Sequence, residues 1–271
     1  MNKQEVLDFF KSVDRMRNPL RQYPNRTVIH FYQEHARSLH SFQVASHKLG
    51  CKVLTIEPSQ ESLEDTVRTI QPYGDALVLR HPEPDSYTRA TSVSQIPVIQ
   101  AGIHGQETQS LTDIYTLYKE LLYRGIEIDS ISRKILHVTF LGYGRNVQSF
   151  VRYLELFPKV ACHYATELSA PEVVDTDVLY VFPTQNNETY CVNKEFLSTT
   201  KPSLILMHPL PRQEEISEEI DTNPRCVYFH QSENGLYVRM AQLDHLFSVR
   251  SRPTFLEYIW MFLFRLFSLC S

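Results

Sequence analysis

The chain has no surplus of positive charge: 27 Lys and Arg against 31 Asp and Glu leave a net charge of −4. That balance excludes the basic face expected of a nucleic-acid-binding protein. Long runs of one charge sign are missing too, so nothing reads as a disordered charged tail. Neither an internal repeat of solenoid period nor a low-complexity tract is present. The five cysteines, Cys51, Cys162, Cys191, Cys226 and Cys270, are scattered, odd in number and without the spacing of a zinc site. No secretion signal opens the sequence, and Met1 to Phe10 has a polar, helical pattern. These absences predict reduced thiols in a cytoplasmic setting. A long hydrophobic run is also lacking. Phe255 to Leu269 is rich in apolar and aromatic residues, but Glu257 and Arg265 interrupt it. Its longest uncharged stretch, Tyr258 to Phe264, falls far short of the roughly 20 residues that span a bilayer. The segment reads as a helix packed on the body of the protein or on another subunit, with an interfacial membrane helix as the alternative.

What remains is a chain of 271 residues, 42% hydrophobic, long enough for two compact α/β domains of about 100–150 residues each. Short apolar runs alternate with helical segments, the pattern of a parallel sheet flanked by helices. Strands are expected at Thr27–Tyr32, Lys52–Ile56, Ala76–Leu79 and Val98–Ala101, and again at Ile135–Leu141, Val160–Tyr164, Val178–Phe182 and Leu204–Met207. Helices are expected at Ala36–Leu49, Ser62–Ile70, Asp85–Ser92, Gln106–Tyr123, Asn146–Phe157 and Lys194–Thr199, with a last long helix from about Leu236. The passage between domains falls near Leu122–Ser132. In such sheets ligands bind beyond the carboxyl ends of the strands. The loops to inspect are therefore those that follow each strand, and their polar residues suggest one cleft fed by both domains.

Four segments there can carry chemistry. Gln33 to Ser38 leads a strand into a helix, whose free N–H groups and positive dipole end favour an anion. Arg37 adds a bidentate donor and Ser38 a hydroxyl, although the same residues also suit an ordinary turn with a surface arginine. Arg80-His81-Pro82 ends an apolar strand with a cation, which equally suits a surface ion pair. Gly142-Tyr143-Gly144-Arg145 is half a dinucleotide fingerprint, and Val147 stands where its third glycine belongs. His208-Pro209-Leu210-Pro211-Arg212 has two prolines that fix a turn, hold its carbonyls rigidly and allow a cis bond.

Taken in order, these segments resemble the aspartate carbamoyltransferase family, over roughly residues 25–250. The resemblance also rests on Ser41-Phe42, His47 to Gly50, Asp75 to Pro82, Pro97 to Gly102, Thr108-Gln109, Glu215-Ile216 and Asn234-Gly235-Leu236. It implies an α/β fold of two doubly wound parallel-sheet domains linked by interdomain helices. The implied division is 1–130 as a carbamoyl-phosphate-binding-like domain, 131–235 as an aspartate-binding-like domain, a helix at about 236–254 packing back on the first, and an apolar helix at 255–271. It further implies carbamoyl transfer from carbamoyl phosphate to the amine of aspartate, a step of pyrimidine biosynthesis, without metal or cofactor. By the same resemblance the active unit is a trimer in which a loop of the neighbouring subunit completes each site.

Carried over by position, the implied catalytic residues are Arg37, Arg80 and Gln106. The implied substrate-binding residues are Arg37, Ser38, Arg80, Gln109, Arg145, Gln185 and the backbone of Leu210. Several positions depart from the family pattern. A Ser-Thr-Arg-Thr helix start is here His35-Ala36-Arg37-Ser38. The serine and lysine of the neighbour-donated loop have no equivalent in the shorter Glu57 to Leu63, and no lysine occurs between Lys52 and Lys119. Acids at Glu57, Glu61 and Glu64 would repel a phosphate if they faced it. Gln106 replaces a histidine, with His104 close by, and Pro183 replaces an arginine that binds the aspartate side chain. At about 1.5–3 kcal/mol per charged hydrogen bond, three or four such losses remove roughly 5–10 kcal/mol if they add. The sequence therefore supports a transferase of impaired activity, with carbamoyl phosphate and aspartate or a related amine as its ligands. It also supports a catalytically inactive homologue acting as a regulatory or interaction subunit, in a homotrimer or a mixed assembly with an active relative, and a sensor that binds carbamoyl phosphate without turnover.

Overall fold

The computed structural model describes residues 1–33, 36–57, 60–102, 107–126, 135–144, 147–183 and 190–249. Helix α1 (Lys3–Arg15) opens on a capping box: the Asn2 side chain accepts from the Glu5 N–H, and the Glu5 carboxylate from the Asn2 N–H. Then come β1 (Thr27–Tyr32), α2 (Arg37–Lys48), β2 (Lys52–Ile56), α3 (Leu63–Ile70), β3 (Ala76–Arg80), α4 (Ser86–Val93), β4 (Val98–Gln100) and α5 (Glu107–Tyr123). The second half continues with β5 (Leu136–Leu141), α6 (Val147–Leu154), β6 (Val160–Ala165), α7 (Pro171–Val174), β7 (Val178–Val181), α8 (Lys194–Thr199), β8 (Ile205–Met207) and α9 (Tyr228–Val249). The strands form two parallel sheets, β2-β1-β3-β4 and β6-β5-β7-β8. The parallel sheets are those expected from the alternation of apolar runs, and their order is the doubly wound α/β architecture that the resemblance implied.

Strand β1 is buried without alternation from Val28 to Tyr32, because a parallel strand is covered on both faces. In each sheet the chain reverses its winding beside the first strand. The carboxyl ends of β1 and β3 meet there, with Tyr32 opposite Arg80, and so do those of β5 and β7, with Leu141 opposite Val181. Such switch points open a crevice above the sheet. Helices α5 and α9 pack together, and one apolar cluster carries Leu111, Tyr115 and Val238 of these helices together with Val28 of the first sheet and Tyr180 of the second.

The last helix departs from expectation. It begins at Tyr228, about two turns before the expected start at Leu236, and Asn234-Gly235 lies inside it. A Cβ on Gly235 would meet Nη1 of Arg239 at 2.5 Å, so the glycine serves close packing and does not end the helix. The expected helix at 255–271 lies outside the described residues, as does Cys270. Cys51, Cys162, Cys191 and Cys226 are free thiols. Among the described residues no helix is long and apolar enough to cross a membrane.

His30 is a fully buried imidazole in β1. Its Nε2 lies 3.4 Å from the Ser46 hydroxyl, which itself donates to the Phe42 carbonyl, and its Nδ1 has no partner among the described residues. Burial, helped by nearby His47, pulls its pKa down to about 4. A histidine near 6.5 when unfolded and near 4 when folded stabilises the protein fully above pH 6.5 and loses that contribution as pH falls toward 4. The shift corresponds to about 3 kcal/mol. Urea titrations at pH 7 and pH 4.5 should show a much smaller acid loss for His30→Leu than for the unmodified chain. Equal losses would show that His30 is not the responsible group.

Candidate functional site

Above the β1–β3 switch point, facing the turn after β8, lies a cleft of about 570 Å³. Its walls include Arg37 and Ser38 from the start of α2, Arg80 from the end of β3, Gln109 from α5 and Leu210 from the turn after β8. Five of the residues singled out in the sequence therefore come together, four from the half that carries the first sheet and one from the turn after β8. Gln106, Arg145 and Gln185, like His35 and His104, lie outside the described residues. His81 is not in the cleft wall; its Nδ1 accepts from the Glu83 N–H.

Each wall residue is placed by a local cause. Ala36, the N-cap of α2, has no side-chain acceptor, so no side chain of its own closes the first turn. Arg37 and Ser38 occupy that turn, and the Ser38 hydroxyl reaches the Ala101 carbonyl at 3.4 Å. Nη1 of Arg80 is also 3.4 Å from that carbonyl. Beside it, Gly102 has φ 110°, and a Cβ there would come within 2.7 Å of Arg80 Nη1. Only glycine gives both the backbone and the space.

A third arginine, which sequence reasoning missed, lines the same cleft. Arg239 of α9 is 8% exposed, its guanidinium stands 5.3 Å from the Phe42 ring, and its Nε has no partner among the described residues. Burial lowers its pKa to about 10, against the pull of Tyr32 and Asp113, so it is charged at neutral pH. Burial pushes the Tyr32 hydroxyl up to about 12, opposed by nearby Ser38 and by the Arg239 and Arg80 guanidiniums. A floor of this kind suits a compact anion. Arg239→Met should weaken binding of inorganic phosphate about tenfold or more, since a charged donor is removed from the cleft wall. Unchanged phosphate affinity in that titration would assign Arg239 to packing alone.

The opposite wall is the His208–Arg212 turn. The Leu210–Pro211 bond is cis, and Leu210 has φ 50°. His208 Nδ1 accepts from the Leu210 N–H at 2.8 Å, while Nε2 lies 2.8 Å from Oε1 of Glu215, with both side chains fully buried. Burial pushes the Glu215 carboxyl up, but hydrogen bonds from His208 and from backbone N–H groups, Gln213 among them, outweigh it and hold the pKa below the usual range. Arg212 is committed elsewhere, paired with Asp221 and close to the Tyr228 ring.

Glu64 does not threaten an anion, because Arg89 holds its carboxylate with bonds of 2.6 and 2.8 Å. Ser62 caps α3 by accepting from the Asp65 N–H. The Glu57 to Leu63 connection adds no lysine or arginine to the site. Pro183, just beyond β7, offers no side-chain donor.

Residues 2–119 match the family profile "Aspartate/ornithine carbamoyltransferase, carbamoyl-P binding domain", and residues 159–246 match its "Asp/Orn binding domain". The aspartate carbamoyltransferase catalytic subunit of Methanocaldococcus jannaschii is 34% identical over 89% of this chain and 92% of its own length. The chloroplastic aspartate carbamoyltransferase of Arabidopsis thaliana is 32% identical over 80% of this chain, which spans 66% of the plant protein. Among solved structures, the M. jannaschii catalytic subunit superposes with a TM-score of 0.78 at 29% identity, covering 92% of this chain and 96% of that one. Aspartate transcarbamoylase from Trypanosoma cruzi in complex with N-(phosphonacetyl)-L-aspartic acid gives 0.76 at 26% identity, covering 90% and 91%.

Proposed function

The chain belongs to the aspartate/ornithine carbamoyltransferase family, and we propose that its cleft binds carbamoyl phosphate and transfers the carbamoyl group to the amine of aspartate, as in pyrimidine biosynthesis. The observation that carries this reading is the convergence of Arg37, Ser38, Arg80, Gln109 and Leu210 on one cleft fed by both domains. Arg37, Ser38 and the open first turn of α2 hold the phosphate, with Arg239 beneath. Arg80 bridges the phosphate and the carbonyl oxygen. Gln109 and the Leu210 carbonyl receive the carbamoyl amide.

The amine nitrogen attacks the carbonyl carbon. Its C–N bond forms as the bond from carbon to the phosphate oxygen breaks, and phosphate leaves with the amine's proton. Donors fixed around the developing oxyanion and the leaving phosphate supply the catalysis, which is positional and electrostatic. Gln106, Arg145 and Gln185 complete the substrate side in this proposal.

Turnover is proposed to be impaired on the aspartate side, because Pro183 stands where a guanidinium is needed and the Glu57 to Leu63 loop brings no cation to a neighbouring subunit. Those same two features favour a second reading, a catalytically inactive homologue that acts as a regulatory or interaction subunit in a homotrimer or a mixed assembly. Calorimetric titration with carbamoyl phosphate, run beside an assay for N-carbamoylaspartate, separates the two. Micromolar to millimolar binding with product formation abolished in Arg37→Ala supports the enzyme. Binding without product supports a homologue that senses carbamoyl phosphate, and no binding at millimolar ligand overturns the enzyme and the sensor and leaves the interaction subunit. Native mass measurement, alone and with an active relative, tests the assembly.

A further inference from the structure

Asp113 of α5 is fully buried behind the cleft wall, and it organises that wall without lining it. One carboxylate oxygen accepts from Gln109 Nε2 and from Gln231 Nε2, both at 2.7 Å, and the other accepts from the Tyr180 hydroxyl at 2.9 Å. Three elements of both domains thus meet on one carboxylate: α5, α9 and β7.

The direction of each amide follows by elimination. Gln231 Oε1 accepts from the His208 backbone N–H at 3.1 Å. A backbone N–H can only donate, so Gln231 must turn its oxygen to His208 and its nitrogen to Asp113. An ionised carboxylate can only accept, so Gln109 must also offer it Nε2. With Nε2 held on Asp113, Gln109 has its Oε1, an acceptor, to offer the cleft. Gln231 and Gln109 are chemically free to rotate by half a turn, yet the chain from His208 through Gln231 to Asp113 forbids it.

We propose that Asp113 is a positioning residue that fixes the amide polarity of Gln109, so that the cleft selects a ligand carrying an N–H donor at that point over an isostere carrying a methyl group. The proposal rests on the carbamoyl phosphate reading given above. A carbamoyl group supplies that N–H donor, and acetyl phosphate has the same phosphate and carbonyl with a methyl in its place.

The test is a pair of titrations, carbamoyl phosphate and acetyl phosphate, on the full chain and on Asp113→Asn. An asparagine can donate as well as accept, which allows Gln109 to reverse. The unmodified chain should prefer carbamoyl phosphate about tenfold or more. In Asp113→Asn that ratio should fall to about one, through loss of carbamoyl phosphate affinity with little change for acetyl phosphate. Equal loss of both ligands, or an unchanged ratio, overturns the proposal. Should Asp113→Asn not fold, Gln109→Leu carries the test: its ratio must also fall to about one, and a retained preference overturns the assignment. Failure of the unmodified chain to bind either phosphate is a different result, since it removes the carbamoyl phosphate reading itself.

Discussion

Arg80→Met is expected to weaken carbamoyl phosphate binding by two to four orders of magnitude, with the folded protein intact. Arg80 ends β3 at the switch point, where Tyr32 is its partner across the sheet, and it lines the cleft together with Arg37 and Arg239. In the proposed complex its guanidinium donates to both the phosphate and the carbonyl oxygen. Two charge-assisted bonds at about 1.5–3 kcal/mol each give roughly 3–6 kcal/mol, or a factor of about 10² to 10⁴. Methionine keeps the apolar stem that continues β3 and removes only the charged head, so the unfolding midpoint should move little. Turnover, where it is measured, should fall at least as far as affinity, because charge on the carbonyl oxygen grows in the transition state. Arg68→Gln is the control: that arginine pairs with Asp65 on the exposed face of α3, outside the cleft wall, and its loss should leave ligand affinity unchanged. A Kd for Arg80→Met within threefold of the unmodified value would remove Arg80 from the ligand.

Why Arg37, Ser38, Arg80, Gln109 and Leu210 were legible, and Arg239, Asp113 and Gln231 were not, has a physical basis. The first five sit just past strand ends or at helix starts, and a parallel sheet announces those places through apolar runs of parallel-strand length. Val28, Ile29 and Phe31 mark β1 as covered on both faces, so whatever follows Tyr32 must face a crevice. Arg239, by contrast, lies in the middle of a helix, where a lone arginine in sequence usually means a solvated face. Its burial depends on Gly235 one turn earlier and on Phe42 from another element, neither of which is adjacent in the chain. Asp113 looks like one acid on a long helix until Tyr180 and Gln231 arrive from 67 and 118 residues away. The early start of α9 was hidden for a related reason, since Asn234-Gly235 suits a helix end locally and only the packing of Arg239 shows why glycine belongs inside. Strand ends are local information, whereas hydrogen-bond hubs are not.

The largest loss of stability is expected from Glu215→Ala, at about 3–5 kcal/mol. His208 Nδ1 accepts the Leu210 N–H, so the ring carries its proton on Nε2, which faces the Glu215 carboxylate at 2.8 Å. The same carboxylate accepts the Gln213 N–H at 3.0 and 3.1 Å from its two oxygens. Truncation to alanine strands two donors and opens a cavity in a site with no access to water, the costliest form of breaking a buried pair. For a chain of this size that loss should lower the melting temperature by roughly 10 °C. Glu215→Gln keeps an oxygen for His208 but turns an N–H toward the Gln213 N–H, and should cost about half as much. The pH dependence has a definite sign. A carboxyl held below its ordinary pKa contributes above that ordinary value and loses the contribution as pH falls through the folded one. The gap between the unmodified chain and Glu215→Gln should therefore narrow on the acid side. Because the same turn places Leu210 in the cleft wall, ligand affinity in Glu215→Gln should fall as well, by more than any fall caused by disrupting the surface pair Lys11–Asp8. A melting temperature within 2 °C of the unmodified chain for Glu215→Ala, read by calorimetry, would mean that the prolines alone hold the turn.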